Sequence, residues 1–188
     1  IRFGFSRKME RPVSRDVPFP DEPKAPAMGK GPGFVHLHVH TSFSLREGAL
    51  TIDKLKKFAL ADRQPALAIT DTNNLFGALE FSEKLAKEGI QPIVGAALTV
   101  EFGDAAALGA KTDLTGLGRA KIILLARSEA GYMNLMRLAS QAWIDPKEGD
   151  TPHVTLARLS EGCDDLIALT GGPGGPLDQA LARENNAV

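Results

Sequence analysis

One cysteine, one tryptophan and one tyrosine are all that these 188 residues hold of those types. A lone Cys163 excludes an internal disulfide and fits a reducing compartment. No apolar run approaches the roughly 20 residues that a membrane-spanning helix needs. The charged, proline-rich N-terminus has no apolar signal-peptide core. Charge of one sign is also lacking: 22 Lys and Arg against 23 Asp and Glu leave a net charge of -1. That balance argues against a domain built to coat nucleic acid or an anionic membrane. Aromatic and basic residues do not interleave into a stacking platform for single strands, so Trp143 and Tyr132 are expected to pack on their helix. What remains, 43% hydrophobic and 24% charged residues, is the composition of a globular domain, and the chain reads as cytoplasmic with no membrane contact.

Punctuation divides the chain. Residues 1–33 hold six of the twelve prolines and no hydrophobic periodicity, the marks of a disordered N-terminal extension. Met28 is a candidate natural start. Residues 34–188 read as one domain, with Ile1 and Val188 as the ends of a fragment. A strand at 34–40 leads through Glu47-Gly48 to a helix at about 52–61, capped by Thr51 and striped by Leu55, Phe58 and Ala59. Residues 66–70 form a strand apolar enough to be buried on both faces. Asp71 to Asn74 supply turn and cap chemistry before a helix at about 75–88. A strand at 90–94 continues past Gly95 into 98–102, and 103–118 is a Gly-, Ala- and Asp-rich surface loop. Strand 121–126, helix 129–143, a polar loop with His153, helix 155–161 and strand 165–170 follow. Gly171 to Gly175 lack the Gly-Lys-Ser/Thr of a phosphate loop and read as a turn into helix 176–183. This alternation predicts βαβ units and a parallel α/β sheet, with chemistry at the C-terminal strand ends. No Asn-Gly or Asp-Gly turn announces an antiparallel hairpin.

Three of the four histidines, His36, His38 and His40, fall within five residues. On a strand every second side chain points the same way, so the three imidazoles would line one face and Leu37 and Val39 the other. Paired histidines on one rigid strand are a preorganised half-site for a transition metal. Solvated histidines at a strand end are the plainer alternative, and the continuation into Thr41-x-x-Ser44 favours metal-site ancestry.

The stretch Phe34-Val-His-Leu-His-Val-His-Thr-Ser-Phe-Ser-Leu-Arg-Glu-Gly-Ala49 resembles the opening of the polymerase-and-histidinol-phosphatase (PHP) domain. The form it is similar to stands at the N-terminus of bacterial DNA polymerase III alpha subunits. Pro65-Ala-Leu-Ala-Ile-Thr-Asp-Thr-Asn-Asn-Leu-Phe-Gly-Ala78 and Gly89-Ile-Gln-Pro-Ile-Val-Gly-Ala96 agree in order. So do Ile123-Leu-Leu-Ala-Arg-Ser-Glu-Ala-Gly-Tyr-Met-Asn-Leu135 and Asp165-Leu-Ile-Ala-Leu-Thr-Gly-Gly172. The resemblance implies a distorted (β/α)7 TIM-like barrel, of which this chain would supply the N-terminal two thirds. It also implies a parent DNA-directed DNA polymerase acting in replication, with DNA and dNTPs as substrates and magnesium at its palm. That palm lies outside these residues, so no catalytic residue is assigned here, and no cofactor-binding residue either.

Active PHP domains resemble zinc hydrolases whose clustered His, carboxylate and Cys ligands activate water. By the resemblance, His38 and His40 match the paired ligands of strand one, His36 a flanking residue, and Glu47 an acidic ligand. The other ligand positions fall on Thr72, Ala97, Lys121 and Gly172, which offer a hydroxyl, a methyl group, an ammonium and no side chain. Closely spaced dications need carboxylates and thiolate to offset their repulsion, and a lysine adds to it. His38, His40 and Glu47 are therefore vestigial metal candidates, able to hold at most one zinc ion weakly. Cys163 reads as an ordinary core or loop thiol. The implied role is structural: bracing the polymerase core and binding the proofreading exonuclease subunit. Two rivals keep catalysis. One is an active metal-dependent PHP phosphoesterase or intrinsic 3'-5' proofreading exonuclease. The other is an amidohydrolase, whose barrel also opens on His-x-His but which leaves the other four blocks unexplained. Lys54, Lys56 and Lys57 read as a solvated helix face.

Overall fold

The computed structural model describes residues 34–103 and 118–185; the N-terminal extension and the core of the 103–118 loop lie outside them. Elements follow in the order α1 (Ile52–Ala61), β1 (Ala66–Thr72), α2 (Ala78–Ala86), β2 (Gln91–Glu101), β3 (Arg119–Ala126), α3 (Glu129–Ile144), β4 (Val154–Thr155), α4 (Leu156–Glu161), β5 (Leu166–Leu169) and α5 (Pro176–Asn185). A 3-10 turn over Gly172–Gly174 joins β5 to α5. The five strands form one sheet with β1, β2, β3 and β5 in that order, and β4 pairs with β2 beyond the end of β1. No helix among the described residues is long and apolar enough to cross a membrane.

The sheet is mixed, which corrects the all-parallel expectation. β1 and β4 run parallel to β2, but β3 is antiparallel to β2 and β5 antiparallel to β3. The physical reason lies in the register: the last residue of β2, Glu101, pairs with the first of β3, Arg119, so consecutive strand ends meet at one end of the sheet, as an antiparallel pair allows and a parallel pair does not. This reversal brings the start of β3, with Lys121 opposite Thr99, to the C-terminal ends of β1 and β2.

Period-two alternation sorts the two faces. Leu67 and Ile69 pack with Ile52, Leu55 and Ala59 of α1 and Phe81 and Leu85 of α2. Leu98, Val100 and Leu124 pack against Leu135, Leu138 and Ala142 of α3. Ala68, Ala97, Ile123 and Leu125 cluster on the opposite face. The register then aligns Thr70 with Gly95 and Leu125, and Thr72 with Ala97 and Ile123. Gly95 is required there, because a Cβ would lie 2.6 Å from Leu125 Cδ2 and 2.5 Å from the Leu124 carbonyl oxygen.

Several local expectations change. Residues 34–40 form no regular strand. The carbonyls of His36 and Val39 accept from the amides of Ala68 and Thr70, an advance of three residues against two. The extra residue is a bulge, and it resets the alternation of faces. Thr51 stands at the N-cap of α1 without a side-chain cap bond. Phe58 is 60% exposed, so Ile52, Leu55 and Ala59 form the buried stripe. Helix α2 starts at Ala78, after Asn74 has turned its Oδ1 to the Phe76 amide. Trp143 is 58% exposed and donates its indole N–H to the Asn73 carbonyl at 2.7 Å, joining α3 to the end of β1. Cys163 is an exposed loop thiol, and Lys56 pairs with Glu88.

The start of β3 is pinned by Arg119, whose guanidinium donates two bonds of 2.6 Å to the Asp150 carboxylate. The Arg119 hydrogen bonds, with one from the Thr151 amide, hold the Asp150 carboxyl well below its ordinary 3.8. A depressed carboxyl pKa stabilises the fold above the ordinary value and loses that contribution only as pH falls through the folded value. We expect an NMR titration of Asp150 to stay flat through pH 3.8, and Arg119→Gln to return its midpoint upward.

Candidate functional site

The loop after residue 40 is closed by its own backbone. Ser44 N–H donates to the Thr41 carbonyl, Glu47 and Gly48 N–H both donate to the Ser44 carbonyl, and Ser42 N–H donates to Leu50. Gly48 lies so close to Thr41 that a Cβ would overlap its carbonyl oxygen. Glycine at 48 is thus what aims Glu47 back over the end of β1.

Asp71 anchors this loop. It is 1% exposed, and it accepts from Thr41 N–H at 2.7 Å, the Thr41 hydroxyl at 2.7 Å and the Ser44 hydroxyl at 2.5 Å. Sequence reasoning gave Asp71 to turn chemistry and missed this role. The available signal was the Thr41-x-x-Ser44 pair, two short hydroxyls able to reach one carboxylate.

These bonds fix a histidine tautomer. The single Ser44 hydroxyl hydrogen goes to Asp71, which as a carboxylate only accepts. The Ser44 oxygen also receives the Thr72 amide at 3.0 Å and lies 3.2 Å from His40 Nδ1. His40 therefore carries hydrogen on Nδ1, and its Nε2 faces Glu47 Oε2 at 3.7 Å. His38 is placed similarly: its Nδ1 lies 2.9 Å from the Thr70 hydroxyl, which also receives the Val39 amide. The two rings meet edge to face with centroids 4.7 Å apart. Burial, then the nearby His40 and Lys121, lowers the His38 pKa, and Glu47 opposes them. Ser44→Ala should release His40 to a tautomer mixture, read as converging ring 15N shifts.

His36 does not join them. The bulge turns it toward Phe34, with ring centroids 4.8 Å apart, and into the cleft lined by Val39, Leu55 and Phe58. The three histidines do not share a face, which corrects the alternation argument.

Glu47 is held from two other sides. Its Oε1 accepts from the Lys121 ammonium at 2.6 Å and its Oε2 from the Thr72 hydroxyl at 2.5 Å. Burial opposes its ionisation, but the bonds from Lys121 and Thr72 outweigh it, and the pKa lies below the ordinary value. The structure brings together five of the positions singled out in the sequence: 38, 40, 47, 72 and 121. Ala97 is fully buried in the apolar cluster with Ile123. Gly172 has φ of 62° and open space where a side chain would stand.

These donors do not fit a multinuclear metal centre. Among the described residues, two imidazoles and one carboxylate come together here, and the carboxylate is bound by an ammonium. Among the described residues, no group of three or more His, Cys, Asp or Glu side chains is placed to hold an ion.

Comparison with known proteins places the chain. The family model of the PHP domain matches residues 36–187. The DNA polymerase III subunit alpha of Caulobacter vibrioides is 39% identical over 158 residues, 84% of this chain and 13% of that protein. Its counterpart in Thermus aquaticus is 38% identical over 161 residues, with the same shares of 84% and 13%. An error-prone DNA polymerase of Symbiobacterium thermophilum is 37% identical over 165 residues, 80% of this chain and 14% of that protein. The chain thus spans only about an eighth of the length of the relatives it matches. Among solved structures, an amidohydrolase from Chromobacterium violaceum with bound sulfate and no metal is 24% identical, with a TM-score of 0.43 over 57% of this chain and 32% of that one. With a family model matched from His36 to Ala187, the chain belongs to the PHP domain family.

Proposed function

We propose that these residues are the N-terminal PHP domain of a replicative DNA polymerase III alpha subunit, and that the domain itself is a non-catalytic brace and docking module. Likeness to alpha subunits over 84% of the chain carries this reading. The parent chain would be a cytoplasmic DNA-directed DNA polymerase, with its magnesium-dependent nucleotidyl transfer in a palm outside these residues. Its partners would be the rest of the polymerase core and a proofreading exonuclease subunit, with DNA and dNTPs engaged through the parent.

The Lys121 bond to Glu47 supports the non-catalytic part. A hydrolase of this kind needs metal-activated water, and His38, His40 and Glu47 retain at most one weak zinc site. The full-length protein is expected to extend primers, to release no phosphate from phosphoesters at the PHP site, and to co-purify with an exonuclease subunit. Stoichiometric zinc with phosphoesterase or exonuclease activity abolished by His40→Ala would replace this reading with the catalytic one. Lack of primer extension would remove the polymerase assignment.

A further inference from the structure

The residue that spoils the metal site also completes it. We propose that the Lys121 ammonium is the resident cation of the His38, His40 and Glu47 cluster: it cross-links β3 to the 41–48 loop and keeps divalent ions out. This inference rests on the degenerate-domain reading above and adds a residue and a mechanism to it.

Geometry makes the case first. The ammonium lies 2.6 Å from Glu47 Oε1, and Glu47 Oε2 lies 3.7 Å from His40 Nε2. One carboxylate thus stands between the lysine and the retained imidazole pair. Lys121 joins positions 74 residues apart in sequence, a cross-link that a bound ion would otherwise supply between loop and sheet.

The backbone beneath Lys121 is fixed from two sides. On one side β3 pairs it with Thr99 of β2. On the other, Gly171, with φ of 81°, approaches so closely that a Cβ would overlap the Lys121 carbonyl oxygen. The reversal of β3 is what brings position 121 to this end of the sheet. Had β3 run parallel to β2, its first residues would lie at the opposite end.

Charge decides between occupants. Glu47 is the carboxylate that faces the imidazole pair, and the Lys121 ammonium meets it directly, while the Asp71 carboxylate behind Ser44 accepts from Thr41 and Ser44. A dication entering beside that ammonium meets repulsion that, at about 5 Å even in water-like surroundings, weakens its binding by about tenfold. It must also take Glu47 from a hydrogen-bonded partner. Replacing Lys121 by an uncharged residue removes both obstacles while leaving His38, His40 and Glu47 in place.

The test uses full-length protein with zinc as the probe, comparing wild type with Lys121→Met, Lys121→His and Lys121→Arg by calorimetric titration and thermal unfolding. Lys121→Met should lower the midpoint by a few degrees without metal and regain it in zinc, with affinity at least about tenfold above wild type. Lys121→His supplies an imidazole donor at the same place and should bind zinc more tightly still. It carries the measurement if the methionine variant does not fold. Lys121→Arg keeps the charge and should behave as wild type in both readouts. A lysine that merely stabilises the loop would give the lower midpoint with no gain in zinc affinity, and that result overturns the proposal. It would leave the degenerate-domain reading standing, whereas stoichiometric zinc and hydrolysis in the wild type would end both.

Discussion

Replacing Asp71 by Ala is expected to cost about 3–5 kcal/mol of unfolding free energy, measured by urea denaturation. The carboxylate is 1% exposed and serves three donors, the Thr41 amide and the Thr41 and Ser44 hydroxyls. Each buried donor left unpaired costs about 1–3 kcal/mol; entry of water as the 41–48 loop opens limits the sum. Asp71→Asn separates charge from shape. Its amide oxygen can keep the Thr41 amide and the Ser44 hydroxyl, which share Oδ1, and the Thr41 hydroxyl can turn to accept from its NH2, so a smaller loss of about 1–2 kcal/mol is expected. Asp71→Ala should also free Ser44 and so disturb the His40 ring nitrogens, whereas Asp71→Asn should leave them near wild type. A loss below about 1 kcal/mol for Asp71→Ala would mean that the loop is held by its backbone bonds alone.

The sequence made most elements legible and two geometric devices illegible. Helix α1 and strand β1 follow from a 3.6-residue stripe, read at Leu55, Phe58 and Ala59 and buried at Ile52, Leu55 and Ala59, and from an unbroken apolar run at 66–70, signals that depend only on local burial. Thr72 and Lys121, two positions singled out through the resemblance, converge on Glu47, while Ala97 from the same set lies in the apolar cluster. The course of β3 was hidden, since direction is set by the length and path of a connection and not by the strand's own residues. The bulge before Thr70 was hidden for a related reason. A His-x-His-x-His pattern is periodic on paper, while one extra residue between the His36 and Val39 carbonyl bonds breaks the period in space. Asp71 was misread because its partners lie about 30 residues upstream, in a loop with no strand or helix pattern of its own.

Phe81→Ala should cost about as much as Asp71→Ala, about 3–5 kcal/mol, by a route that leaves the polar site intact. Phe81 is fully buried between α2 and β1, in the cluster with Leu55, Leu67, Ile69 and Leu85 that Val39 also joins. Removing the ring forfeits its transfer free energy and leaves a cavity that the rigid strand side cannot close. The loss should be similar at pH 6 and pH 8, because no titratable group belongs to that cluster. The ring 15N shifts of His40 should stay at wild-type values in the folded protein, since the Ser44 and Asp71 bonds are untouched. Two variants of equal cost, one that moves the His40 signal and one that does not, would separate the apolar layer supporting β1 from the hydrogen-bonded cap over its end. If Phe81→Ala moved His40 as far as Asp71→Ala does, Val39 would be transmitting core packing into the site, and the two layers would be one cooperative unit.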